Sequence, residues 1–211
     1  EQTRAARFHF EHLRHHYTAG RAILRHLISH YLQLTPASIR FSYNQYGRPQ
    51  LSHPQNDTFQ FNLSHSGDWL TYAFALGHPL GIDVEQIRPL DDAPSIAQRF
   101  FSPRENEIWA TIPPHLQPQA FFNCWTRKEA YIKAHGLGLS LPLDAFDVTL
   151  QPGQPAKLLA TRYAQDDAQR WHLHSFHPDQ NHVGALAVAH HDLTIQYFDF
   201  HSSYRHLLKG T

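Results

Sequence analysis

The sequence predicts an α+β fold of two similar lobes related by a pseudo-two-fold, with the active site in the cleft between them. Three observations predict it. Apolar residues recur at helical spacing over 17–34 and 116–134, and at strand spacing after each. The order helix, turn, strands occurs in both halves. Landmark residues also repeat: Pro36 and Pro142, Gly47 and Gly153, and Pro49 and Pro155 are each 106 residues apart. A spacing of 113 lays Leu186–Phe198 over Ala73–Glu85 without a gap, matching His78 with His191 and Ile82 with Ile195. The repeat divides the chain into an N-terminal lobe over 1–88 and a C-terminal lobe over 89–211. Ligands commonly bind in such clefts.

Each element has its own signal. Ile23, Leu24, Leu27, Ile28, Tyr31 and Leu34 form the apolar stripe of the first helix, and Thr35-Pro36 begins its exit. A short strand is expected over 39–43, then a turn at Tyr46-Gly47-Arg48-Pro49. Phe59-Gln60-Phe61-Asn62-Leu63 alternates as a strand does. Trp69–Leu76 and Gly81–Ile87 read as a hairpin of two buried strands across Gly77-His78-Pro79. Pro-rich text at 89–94 reads as a linker. After the second helix come a Gly-rich loop ending near Pro142 and a strand over 145–150. A Gln151-Pro152-Gly153 turn and strands near 171–176, 183–189 and 194–200 complete the plan.

Composition removes several function classes. With 211 residues and 41% hydrophobic content, the chain can bury real cores. Eighteen basic residues balance 18 acidic ones, unlike a general nucleic-acid binder. No apolar run approaches the roughly 20 residues of a membrane span, and no export leader is visible, so the cytoplasm is the expected location. A single cysteine, Cys124, forms no internal disulfide. The text contains no Met and opens on Glu1 in helix-compatible sequence, so a short N-terminal piece is expected to precede it. Arg4, Arg7, Arg14, Arg21 and Arg25 give the first helical region a basic face, read either as solvated surface or as an anion contact. The 19 histidines show no zincin pattern, because Glu11 precedes His12 instead of following it.

Three segments carry chemistry. In Gly81-Ile82-Asp83-Val84-Glu85, strand periodicity puts Asp83 and Glu85 on one face and Ile82 and Val84 on the other. The matching positions of the repeat are Gln196 and Phe198, so the acidic pair belongs to one half alone. Adjacent like charges repel on a strand, whereas magnesium takes one or two carboxylates with substrate phosphates and water. In Trp125-Thr126-Arg127-Lys128-Glu129-Ala130-Tyr131-Ile132-Lys133, Glu129 and Lys133 are one turn apart on the stripe of Trp125. The first half has Ile23 and Leu27 at those positions. Charge in place of aliphatics on an apolar face is costly unless it meets a metal or an anion; an ordinary exposed Glu–Lys pair is the alternative. In Asn62-Leu63-Ser64-His65-Ser66-Gly67, a strand ending in hydroxyls, an imidazole and glycine could hold a phosphate, and a plain turn would look similar.

Taken together, the segments resemble the 4′-phosphopantetheinyl transferase superfamily, and within it the large, pseudo-dimeric Sfp-type group. The resemblance also includes Arg7-Phe8, Ile39-Arg40-Phe41, Tyr46-Gly47-Arg48-Pro49, Arg99-Phe100-Phe101-Ser102 and Gly136-Leu137-Gly138-Leu139-Ser140-Leu141-Pro142. It implies transfer of the phosphopantetheinyl arm of coenzyme A to a serine of an acyl, peptidyl or polyketide carrier protein. It implies that Asp83, Glu85 and Glu129 bind Mg²⁺, with Mn²⁺ a possible substitute, and that Glu129 helps deprotonate the serine. Lys133 would neutralise or protonate the leaving adenosine 3′,5′-bisphosphate, with Lys128 adding positive charge nearby. Ser64 and His65 would touch the 3′-phosphate region, Arg48 and Pro49 the adenine end, and Arg4 a phosphate. A further basic contact falls at or before Glu1, and the family's threonine contact falls at Tyr17 or Thr18. The carrier surface is expected between Phe100 and the 116–125 helix, on a monomer that uses neither nucleic acid nor membrane.

Two other functions compete with this one. A coenzyme A or carrier-binding module without catalysis would need none of the three acids. A magnesium-dependent nucleotide hydrolase would be expected to carry a Walker-type loop, and the sequence has none.

Overall fold

The computed structural model describes residues 1–52, 58–164 and 166–204, the side chain of Leu139 excepted. The end of the expected C-terminal lobe, 205–211, and the Leu139 side chain of the Gly-rich loop lie outside the described residues. In chain order the elements are α1 (Gln2–Ala5), α2 (Glu11–Leu32), β1 (Phe41–Tyr43), β2 (Pro49–Leu51), β3 (Phe59–Ser66), β4 (Trp69–Leu76) and β5 (Leu80–Gln86). They continue through α3 (Ala93–Phe100), α4 (Pro103–Thr111), α5 (Gln117–His135), β6 (Phe146–Val148), β7 (Leu158–Thr161), α6 (Asp167–Arg170), β8 (His172–Phe176), β9 (His182–Val188) and α7 (Phe200–Ser203). The fold is α+β. No described helix is long and apolar enough to cross a membrane.

Contacts gather the chain into two compact units whose boundaries do not fall at residue 88. One comprises Glu1–Ser42, Leu51–Pro54 and Thr194–Thr211, the other Tyr43–Gln50 and Gln55–Leu193. In the first unit, α2 buries Leu24, Leu27 and Ile28 and ends where Gln33 turns left-handed at φ 54°. Its basic face is not simply solvated. Arg21 is buried, and Arg21 and Arg25 both donate to the Glu1 carboxylate, at 2.6 and 2.8 Å, beside the Phe41 ring.

In the second unit, α5 packs across a sheet ordered β5-β9-β8. Val183, Ala185 and Ala187 of β9 share one buried core with Ala130, Tyr131 and Ile132 of α5. Gly81 explains how closely β5 approaches α5. A Cβ there would lie 2.1 Å from the Ala130 carbonyl and 2.4 Å from the Ala134 amide, so only glycine fits.

Several expectations change. The hairpin of Trp69–Leu76 with Gly81–Ile87 does not form: β4 pairs antiparallel with β3, and β5 pairs with β9. Most of β5 is buried, and a strand in a core interior takes its partners from distant sequence. No strand forms over 194–200, so the second copy implied by the spacing of 113 lacks its last element. The text at 89–94 is a linker only in part, because α3 begins at Ala93 with proline in its first turn. Helix α4 was also legible. Ser102-Pro103-Arg104-Glu105 is a capping box, with Ser102 Oγ accepting the Glu105 amide and the Glu105 carboxylate accepting the Ser102 amide.

Candidate active site

The site grows from a seam between β3 and β5. These strands share no backbone ladder. Instead, alternate β3 side chains reach across: Asn62 Oδ1 accepts the Ile82 amide at 2.9 Å, Ser64 Oγ donates to Asp83 Oδ1 at 2.8 Å, and Ser66 Oγ donates to Glu85 Oε2 at 3.0 Å. The strand period of two puts residues 62, 64 and 66 on one face and His65 on the other. His65 is exposed.

Helix α5 supplies the remaining groups. Lys133 Nζ lies 2.6 Å from Asp83 Oδ1 and donates to Ser64 Oγ at 3.0 Å. The Glu129 carboxylate, one turn earlier, makes no hydrogen bond or ion pair among the described residues, and Lys133 pairs with Asp83 instead. Burial, then the Asp83 charge, push the Glu129 carboxyl up to about 7; Lys133 opposes this and Glu85 adds to it. Burial and the Asp83 charge also raise Glu85, against the Ser66 hydrogen bond and the Arg88 and Lys133 charges. Asp83, Glu85, Glu129 and Lys133 thus form one electrostatic cluster drawn from β5 and α5.

One oxygen of the acid cluster has no hydrogen-bond partner. Asp83 is 4% exposed, and its Oδ2 is buried without a hydrogen-bond partner. An unpaired carboxylate oxygen beside two acids with raised affinity for protons suits a hard cation. Among the described residues no three His, Cys, Asp or Glu side chains are gathered closely enough to hold one as they stand. Lys133 supplies the local positive charge.

Other expected contacts have different surroundings. Lys128 is a correction: it is fully buried, and its ammonium reaches the Leu143 carbonyl at 2.6 Å, the Phe146 carbonyl at 2.7 Å and Glu105 Oε2 at 2.8 Å. Its three protons are all engaged inside the fold, leaving none for coenzyme A. Arg48 caps the end of α5. One terminal nitrogen donates to the Lys133 and Ala134 carbonyls at 2.7 and 2.8 Å, the other to the Leu80 carbonyl at 3.0 Å. It therefore fixes the helix turn that carries Lys133, with both terminal nitrogens engaged by backbone carbonyls. Pro49 is half-buried in β2. Arg4 belongs to the first unit, where its guanidinium lies over the half-buried Tyr17 ring; Thr18 is exposed. Ser66, given no role in the sequence motif, joins the site by its hydrogen bond to Glu85. Its signal was the period of two shared with Asn62 and Ser64.

Comparison with known proteins shows the family. The family model of the 4′-phosphopantetheinyl transferase superfamily matches residues 79–189, and that of the 4′-phosphopantetheinyl transferase N-terminal region matches residues 1–76. The chain is 40% identical over 190 residues to the 4′-phosphopantetheinyl transferase HetI of Nostoc sp., covering 90% of this chain and 77% of that protein. It is 35% identical over 193 residues to the 4′-phosphopantetheinyl transferase Sfp of Bacillus subtilis, covering 91% and 82%. A phosphopantetheinyl transferase of Thraustochytrium sp. is 31% identical over 208 residues, covering 90% and 69%. With both halves matched and most of each relative covered, the chain belongs to the 4′-phosphopantetheinyl transferase superfamily and, within it, to the Sfp type.

Proposed function

We propose that this chain transfers the 4′-phosphopantetheinyl arm of coenzyme A to a serine of an apo carrier protein and releases adenosine 3′,5′-bisphosphate. The observation that carries this reading is the convergence of Asp83, Glu85, Glu129 and Lys133 from β5 and α5. In the metal-free site burial pushes the Glu129 carboxyl up to about 7, so it can take up a proton near neutral pH. Glu129 accepts the serine proton, and the serine oxygen forms a bond to the pantetheine-side phosphorus of the pyrophosphate. The bond from that phosphorus to the bridging oxygen breaks, and Lys133 offers the departing phosphate charge or a proton. Asp83, Glu85 and Glu129 would hold Mg²⁺, or Mn²⁺ through the same oxygen donors, and the ion would neutralise the pyrophosphate. His65 and Arg4 are assigned to the phosphates of coenzyme A.

The two lobes of the internal repeat, 1–88 and 89–211, stay part of this proposal, as do a monomeric state and a cytoplasmic location. The test is mass spectrometry of an apo carrier protein incubated with the chain, coenzyme A and Mg²⁺. A mass gain of one phosphopantetheinyl arm is expected. Binding of coenzyme A with no mass gain would instead mark a binding module without catalysis.

A further inference from the structure

The turn between β1 and β2 grips the end of α5 and the start of β5 together. Asn44 shapes it: its Oδ1 accepts the Tyr46 and Arg48 amides at 3.0 and 2.9 Å, and its Nδ2 donates to the Gly136 carbonyl at 2.7 Å. Gly136, left-handed at φ 72°, ends the helix, and a Cβ there would come within 3.2 Å of an Arg48 terminal nitrogen. Arg48 then forks between the two elements of the site. One terminal nitrogen holds the Lys133 and Ala134 carbonyls of α5, and the other holds the Leu80 carbonyl of β5. The planar guanidinium fixes the spacing of its two arms, which a flexible ammonium would not do.

We propose that Arg48 is a positioning residue for the transferase: by clamping the end of α5 to the start of β5, it fixes the backbone from which Lys133 reaches into the acid cluster. This inference rests on the reading of Lys133 as the group that meets the departing bisphosphate. A helix cap alone would account for the contacts to Lys133 and Ala134, two of the last carbonyls of α5. It does not account for the arm on Leu80, which lies on the strand that carries Asp83. Lys133 Nζ meets Asp83 at 2.6 Å and Ser64 at 3.0 Å, from a residue whose own carbonyl Arg48 holds. A reacting group displaced by about 1 Å can lose about 100-fold in rate.

Arg48→Met removes the fork and keeps an apolar stem. In the full chain with lysines carbon-13-labelled at Cε, the Lys133 resonance, assigned by its loss in Lys133→Met, reports that side chain directly. It should stand apart from the free-lysine position in the parent and move toward it in Arg48→Met. Single-turnover transfer by Arg48→Met at saturating coenzyme A should fall about 10- to 100-fold, while coenzyme A affinity by calorimetry stays near the parent's. In a Lys133→Met background, Arg48→Met should cost little more, because residues that act as one unit are not additive. An unmoved Lys133 resonance, or an equal loss of rate with and without Lys133, would overturn the proposal. Weakened coenzyme A binding with a parental saturated rate would also overturn it and mark Arg48 as a ligand contact. If Arg48→Met does not fold, Arg48→Lys, which drops one arm of the fork, makes the same comparisons. No mass gain with the parent removes the transfer reading and this inference together. Transfer by the parent with no response to Arg48→Met removes the role of Arg48 alone.

Discussion

Lys133 Nζ stands 2.6 Å from Asp83 Oδ1, so the cation of α5 neutralises the buried acid of β5. Glu85 and Glu129 have no such partner. The three acids should therefore behave differently without metal, although replacing any of them by alanine should abolish most transfer. Glu129→Ala should be neutral or mildly stabilising in the metal-free protein, because it removes repulsion. Lys133→Met should cost about 3 kcal/mol, because it leaves Asp83 buried and uncompensated. Asp83→Ala should cost less, since Lys133 can reach water. Thermal unfolding in chelator, beside the mass-spectrometric transfer assay, measures both effects. An unchanged melting temperature for Lys133→Met would show that the ion pair does not stabilise the fold.

The raised pKa of Glu129 gives a signed pH dependence. Its carboxyl titrates near 4.5 when unfolded and is pushed up to about 7 in the fold. Between those values the native state binds more protons, so metal-free stability should fall as pH rises from 4.5 to 7 and level off above. The size should be on the order of 2 kcal/mol, shared with Glu85 because the acids titrate as a cluster. Chemical denaturation of the parent and Glu129→Gln across that range should show a shallower decline in the variant. Saturating Mg²⁺ should flatten the parent's slope, because a cation offsets the same repulsion. Parallel slopes in the two proteins would contradict the assignment.

Gly81→Ala tests the approach of β5 to α5. The new methyl would meet backbone at Ala130 and Ala134, and backbone cannot turn aside as a flexible side chain can. Overpacking of this kind costs about 1–3 kcal/mol or more. Because strand and helix must separate, Asp83 would be drawn away from Lys133 and transfer should fall further than stability does. Circular dichroism melting with a single-turnover assay checks this; a stable variant with parental kcat would show that the close approach is not needed.

Lys128 and Glu105 should act on stability and leave coenzyme A affinity alone. Both are almost fully buried and 2.8 Å apart. Lys128→Met alone should cost about 3–5 kcal/mol, and pairing it with Glu105→Gln should recover part of that loss. Urea denaturation of the double-mutant cycle measures the coupling. A raised KM for coenzyme A in a Lys128→Met protein of near-parental stability would restore the sequence-based role for this lysine.

The sequence by itself determined the α+β class, the main helices and the chemical identity of the cluster. Those features are local: helical and strand spacing, the Asp83–Glu85 alternation and the one-turn step from Glu129 to Lys133 are fixed by backbone geometry. It also contained the capping box of α4 at Ser102 and Glu105, and the proline-led start of α3 at Ala93 that the reading of 89–94 as a linker passed over. Tertiary structure decided the partners. Pairing of β5 with β9 depends on residues about a hundred positions apart, and strand periodicity says nothing about which strand will be the neighbour. The same limit governed the lysines. Lys128 and Lys133 lie in one helical motif, yet one is buried on Glu105 and the other reaches Asp83. On a helix the five-residue step between them gives different faces, and only the packing of α5 against its neighbours determines which face meets the site.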